Sequence, residues 1–241
     1  MSDYVIEAHN VTKTYQLGEV PVHVLRGVDV QIKRGEFVSI TGPSGSGKTT
    51  LLDVLSGLLR PTRGEILING KKISEMDDNA LANVRGNTIG FVFQSFHLIN
   101  RLTALENVML PLWFQGISEE ERREIATKTL VSVGLADRLG HRPTELSGGQ
   151  RQRVAIARAL ATDPDVIVAD EPTGNLDSQS GASILNMIEE LNQKKGKTIL
   201  MVTHERYVAE RAERIIQIRD GIIESSEKVR KVRTKAKGDY K

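Results

Sequence analysis

The chain contains no cysteine, which excludes a disulfide framework and any thiolate metal site. No stretch approaches the ~18 apolar residues that a membrane-crossing helix needs, so any association with a bilayer must come through a partner. The opening MSDYVIEAHN shows no secretory pattern, and a cytoplasmic chain is expected. Net charge is also scarce. The overall +2 is the balance of +6 in residues 228–241, where seven basic residues face Asp239, and −4 in the rest. A faintly acidic body lacks the basic face that nucleic-acid binding usually requires, and no nucleic-acid partner is expected. The basic segment reads as a solvated, flexible tail.

What remains is an ordinary globular composition, 39% hydrophobic over 241 residues, enough for one large domain with a smaller inserted lobe. Its organising stretch runs from Phe37 to Leu55, FVSITGPSGSGKTTLLDVL. An apolar run leads into a glycine-rich turn and then a helical pattern. Gly42 to Thr49 match the phosphate-loop pattern G-x-x-x-x-G-K-[ST] at every fixed position. Gly42, Gly45 and Gly47 let the backbone curl so that successive N–H groups converge on one anion, at the positive end of the following helix. Lys48 adds a mobile cation for the outer phosphates, and the Thr49 hydroxyl is placed to ligate Mg2+. A nucleoside triphosphate is the expected occupant, held by Gly42, Pro43, Ser44, Gly45, Ser46, Gly47, Lys48, Thr49 and Thr50.

Before this loop, Tyr4 to Tyr15 and Val22 to Ile32 alternate apolar and polar residues around the turn signal LGEVP, which predicts an antiparallel hairpin. Tyr15 ends its first strand, where it serves either to stack on a base or to pack the sheet edge. After the loop, Glu65 to Ile68 and Ile89 to Phe93 read as strands, and Gln94 follows the second directly. The amide is either a ligand contact at the sheet edge or a plain strand terminus. From 95 to 161 helical signals replace the alternation, with capping boxes at Thr103/Glu106 and Ser118/Glu121. This is a helical insert, whose apolar residues Phe96, Leu98, Leu102, Val108, Leu110, Leu112 and Trp113 are expected to form mostly its own core.

The insert closes with LSGGQRQRVAIARAL, where Ser147, Gly148, Gly149 and Gln150 head an amphipathic helix. Ser147 is either a simple N-cap or part of a second anion site. Next, DVIVADE predicts a buried strand ending in Asp170 and Glu171. Paired acids at a strand end are often caps, but beside a phosphate loop Asp170 can hold Mg2+ while Glu171 reaches a water. A helix over 178–194 and a strand over Thr198 to Val202 follow, the strand ending at Thr203-His204. A last hairpin over 215–223 precedes the tail.

GPSGSGKT, Gln94, LSGGQ, VIVADE, NLD and His204, in this order, resemble the ATP-binding cassette of ABC transporters over residues 1–227. LSGGQ is that family's own signature. FVFQSFHLINRLTALENVMLP and ADEPTGNLDS are most similar to the subgroup serving lipoprotein release, macrolide or peptide efflux, and cell division. The resemblance implies one α/β domain: a P-loop NTPase core (1–94 and 162–227) with a mixed, mainly parallel sheet, an N-terminal antiparallel β subdomain and the inserted α-helical subdomain (95–161). It implies catalytic roles for Glu171, His204, Gln94 and Lys48, with Mg2+ held by Thr49, Gln94 and Asp170. It implies Tyr15 stacked on adenine, Asp177 at a dimer seam, and Ser147 to Gln150 against ATP held by a second copy, in a head-to-tail sandwich. It further implies a transmembrane permease docked near Gln94 and residues 95–116, which places the chain on the inner face of the cell membrane. A soluble cassette ATPase of DNA repair, chromosome organisation or translation is the competing class. Its coiled-coil arms, second cassette or basic body are missing from this sequence.

Overall fold

The computed structural model describes residues 2–229, so from residue 230 onward the basic segment lies outside the described residues. Two sheets share the fold. In the first, β1 (Tyr4–Leu17) and β2 (Val20–Lys33) form the expected hairpin, and β4 (Arg63–Ile68) and β5 (Lys71–Lys72) extend it in the order β2-β1-β4-β5. All its pairings are antiparallel.

The second sheet has the order β10-β9-β3-β8-β7-β6. It comprises β3 (Phe37–Thr41), β6 (Ile89–Phe93), β7 (Val166–Asp170), β8 (Thr198–Val202), β9 (Arg214–Arg219) and β10 (Ile222–Lys228). Only the last hairpin, β9-β10, is antiparallel; the other four pairings are parallel. Parallel strands need covering on both faces, which is why they read as nearly continuous apolar runs. Val166 and Val168 face one buried cluster with the antiparallel sheet and the first helix, α1 (Lys48–Leu55). Ile167 and Ala169 face a second cluster with most of the remaining helices.

Of the remaining helices, α2 (Asp78–Thr88) packs on the first cluster through Leu81, while α3 (Ala104–Phe114), α4 (Glu119–Ser132), α5 (Gly148–Leu160), α6 (Ser178–Gln193) and the short α7 (Arg206–Ala209) pack on the second. Thr103 and Glu106 form the full reciprocal capping box of α3. At α4 only the Ser118 half is present, its hydroxyl accepting from the Glu121 N–H at 3.4 Å. The insert does pack mostly on itself, α3 against both α4 and α5, but its core runs on into that of the sheet where α5 lies against β6. Ala104, Val108 and Leu112 share one cluster with Phe37, Val92, Ile167 and Ile199 of the sheet. Trp113, expected inside, is 58% exposed, and the neighbouring Phe114 is 78% exposed. Among the described residues no helix is long and apolar enough to cross a membrane.

Candidate active site

Strand register brings the site together. Ile40 pairs with Val202, Val202 with Asp170, and Asp170 with Phe93, so β3, β8, β7 and β6 end on one line. The residues that follow these ends are the phosphate loop, His204, Glu171 and Gln94. This is the carboxyl edge of a parallel sheet, where ligands gather in α/β folds.

The loop is shaped by close backbone approaches. A Cβ on Gly42 would lie 2.1 Å from the Ile218 carbonyl oxygen, so no other residue fits there. Gly47, at φ 99°, is the N-cap of α1 and offers no capping side chain, which leaves the first-turn amides without a side-chain partner. The Gly221 N–H donates to the Ser46 carbonyl at 3.1 Å and backs the loop from the last hairpin. The Ser46 hydroxyl is buried without a partner. Lys48 is only 9% exposed and donates to the Gly42 and Pro43 carbonyls at 3.0 and 2.8 Å, strapping the loop across its mouth.

Burial, reinforced by the charges of Glu171 and Asp53 and only opposed by Lys48, pushes the Asp170 carboxyl up to about 6. Burial also raises Asp53, one α1 residue that the sequence did not single out. Glu171 takes a left-handed backbone at φ 45°, uncommon for a non-glycine residue, and its side chain points at His204, Oε1 to Nδ1 2.9 Å. Gln94 meets the turn after Glu171: Asn175 Nδ2 donates to the Gln94 carbonyl at 3.1 Å.

Among the described residues, the other candidates make no hydrogen bond to the loop, Asp170, Glu171 or His204. Tyr15 is 38% exposed at the hairpin end, with Lys13 Nζ 5.2 Å from its ring centroid. Ser147 does cap α5, in a reciprocal box with Gln150. Gly148 and Gly149 pack on Leu176 and Ser180, where a Cβ would come within 3.3 and 3.0 Å. Among the described residues, no hydrogen bond joins Ser147–Gln150 to the phosphate loop. Asp177 caps α6, accepting from the Ser180 N–H at 2.9 Å, and that bond holds its carboxyl below the usual range.

Residues missed in the sequence hold the loop after Gln94. Phe96 and His97 both have positive φ, 61° and 49°, and Arg158 of α5 donates to their carbonyls at 2.9 and 2.5 Å. Asn107, fully buried in α3, makes four hydrogen bonds to the backbone of Ile99, Leu102 and Thr103. A buried amide on the apolar stripe of an amphipathic helix was the available signal for such a residue.

A glycine-shaped anion loop, a strand-end acid pair and a facing histidine on one sheet edge define a P-loop nucleoside triphosphatase. The chain belongs to the ABC transporter family, whose model matches residues 25–174. An uncharacterized ABC transporter ATP-binding protein of Thermotoga maritima is 54% identical over 224 residues, covering 93% of this chain and 95% of that protein. The macrolide export ATP-binding/permease protein MacB of Bartonella quintana is 47% identical over 98% of this chain, which spans only 36% of MacB. Among solved structures, the dimeric post-hydrolysis state of the ATP-binding cassette MJ0796 bound to ADP and Pi matches with a TM-score of 0.87 at 50% identity, over 93% of this chain and 99% of that one. MJ0796 comes from Methanocaldococcus jannaschii. This chain is accordingly an ATPase of the transporter-associated cassette class.

Proposed function

We propose that this chain works as a head-to-tail pair that closes on two ATP molecules and drives a separate membrane permease, of the lipoprotein, macrolide or peptide export kind. The observation that carries it is the convergence of Lys48, Asp170, Glu171 and His204 on one sheet edge, while among the described residues Ser147 to Gln150 make their hydrogen bonds only within their own helix. A half-site of this form is completed by a second copy. In each half, Gly42 to Thr50 cradle the phosphates, Tyr15 stacks on the base, Glu171 orients or deprotonates the attacking water, and His204 holds the γ-phosphate. Asp177 lies at the seam, and Ser147, Gly148, Gly149 and Gln150 reach the partner's nucleotide.

The donor set also fits Mg2+. Thr49, Asp170 and Gln94 offer only oxygen ligands, and the excess of acid around Asp170 is what a divalent cation relieves. Mg2+ is usually held by one or two carboxylates together with substrate phosphates and waters, and this sparse donor set suits that arrangement. Bound there, the cation neutralises charge developing on the phosphoryl oxygens.

Permease docking is assigned to Gln94 and residues 95–116, which puts the chain on the cytoplasmic face of the membrane. A groove of about 810 Å³ beside this segment, lined by Phe91, Phe93, Pro111 and Phe114, supports that reading.

The test is size-exclusion chromatography of Glu171→Gln. Hydrolysis should fall by about 10^2 to 10^4, the usual worth of a general base, while ATP still binds. ATP but not ADP should then shift monomer to dimer, and adding Ser147→Arg should abolish the shift. An elution position indifferent to ATP, or a dimer indifferent to Ser147→Arg, refutes the shared site.

A further inference from the structure

One residue on the apolar stripe of α5 is polar. Gln152 is fully buried on the same helix as the buried Val154, Ala155, Ile156 and Ala159. Its Nε2 donates to the Pro172 carbonyl at 2.7 Å and lies 3.4 Å from the Phe93 carbonyl oxygen. The opposite amide orientation would set oxygen against both carbonyls, so the chemistry fixes which end faces them. Pro172 follows Glu171, and Phe93 precedes Gln94. The amide therefore ties the ends of β6 and β7 to the helix that Ser147 to Gln150 begin.

The turn it grips needs holding. Glu171 stands at φ 45°, a conformation that persists only where its surroundings impose it. Its N–H donates to the Val202 carbonyl at 3.0 Å, and its carbonyl accepts from the Gly174 N–H at 3.1 Å. Among the described residues, the bond from Gln152 is the one side-chain hydrogen bond that this turn receives from the insert. As packing alone the residue is a poor choice, because its Oε1 is buried without a partner and an apolar side chain of equal length would avoid that penalty.

We propose that Gln152 is a positioning residue for hydrolysis, fixing the turn that carries Glu171 to α5, so that engagement of Ser147 to Gln150 sets the place of the Glu171 carboxylate. This rests on the reading of Glu171 as the group that orients the attacking water.

The test uses full-length Gln152→Met, which keeps the length but removes the donor, and Gln152→Glu, which puts an acceptor in its place. Steady-state kcat and KM, ATP affinity and thermal unfolding are measured for both, and single-turnover hydrolysis is measured for Gln152→Met alone and combined with Glu171→Gln. The expected result is a cooperative unfolding transition, ATP affinity within about twofold of the unsubstituted protein, and kcat lowered about tenfold to a hundredfold. Combined with Glu171→Gln, Gln152→Met should cost nothing further, because the carboxylate it positions is already gone. Unchanged kcat, a change confined to KM, or an equal loss in the Glu171→Gln background overturns the proposal. Loss of the cooperative transition in both variants overturns it too, since Gln152 would then be a folding residue. If Glu171→Gln is impaired and Gln152→Met is not, only this proposal falls. A Glu171→Gln variant with full activity removes the reading of Glu171 and this proposal together.

Discussion

His204 Nδ1 lies 2.9 Å from Glu171 Oε1 across 33 residues of sequence, because β7 and β8 are parallel neighbours whose ends are in register. The histidine side chain is 59% exposed, against 23% for the glutamate, so it contributes little to the core. His204→Ala should therefore lower ATP turnover at least about tenfold while leaving the cooperative thermal transition in place. Steady-state ATPase assays paired with thermal unfolding decide this. Full activity, or a lost transition, would make His204 structural.

Lys48→Ala should weaken ATP binding through two effects. It removes charge-assisted contacts to the outer phosphates, each worth roughly 1.5 to 3 kcal/mol. It also removes the strap to the Gly42 and Pro43 carbonyls. Titration calorimetry showing ATP affinity within about twofold of the unsubstituted protein would contradict the loop assignment.

Asp170 gives a pH test whose sign is set by burial. Its carboxyl is raised from 3.8 to about 6 in the folded chain, so between those values the folded state binds the proton that the unfolded state has released. The associated stability is present below pH 3.8 and is lost as pH rises through about 6. Without nucleotide, Asp170→Asn should gain in thermal midpoint over the unsubstituted protein across that window, and the gap should level off above it. A gap that is constant with pH, or that narrows, would show that Asp170 is not held protonated.

Docking on residues 95–116 predicts that Glu substitutions at the exposed Asn100 and Arg101 uncouple the partner. Permease-stimulated ATPase activity should fall in reconstituted vesicles, with the basal rate unchanged. Stimulation that survives these changes, yet is abolished by changes elsewhere, would move the docking site.

Strands buried on both faces were legible because they leave continuous apolar runs: Thr198 to Val202 is a strand at the residues the sequence marked. α2 was not, since it buries only Leu81 and Thr88 and so shows almost no apolar period. α3 misled through composition. Its buried Ala104, Val108 and Leu112 recur every fourth residue, and that spacing, rather than side-chain size, sends Trp113 and Phe114 to solvent.

The sequence by itself determined the phosphate loop, because the glycine spacing, the lysine and the hydroxyl that an anion site needs are contiguous in the chain. It likewise determined the acids and the histidine as strand-end residues, because a short apolar run followed by a polar group reads locally. Only the tertiary structure decided which strand ends lie side by side, and with them the Glu171–His204 pair, since register between parallel strands is set by packing on both faces of the sheet and leaves no local mark. The same holds for Gln152. A glutamine within an amphipathic helix becomes a restraint on Glu171 only once α5 is laid against the ends of β6 and β7.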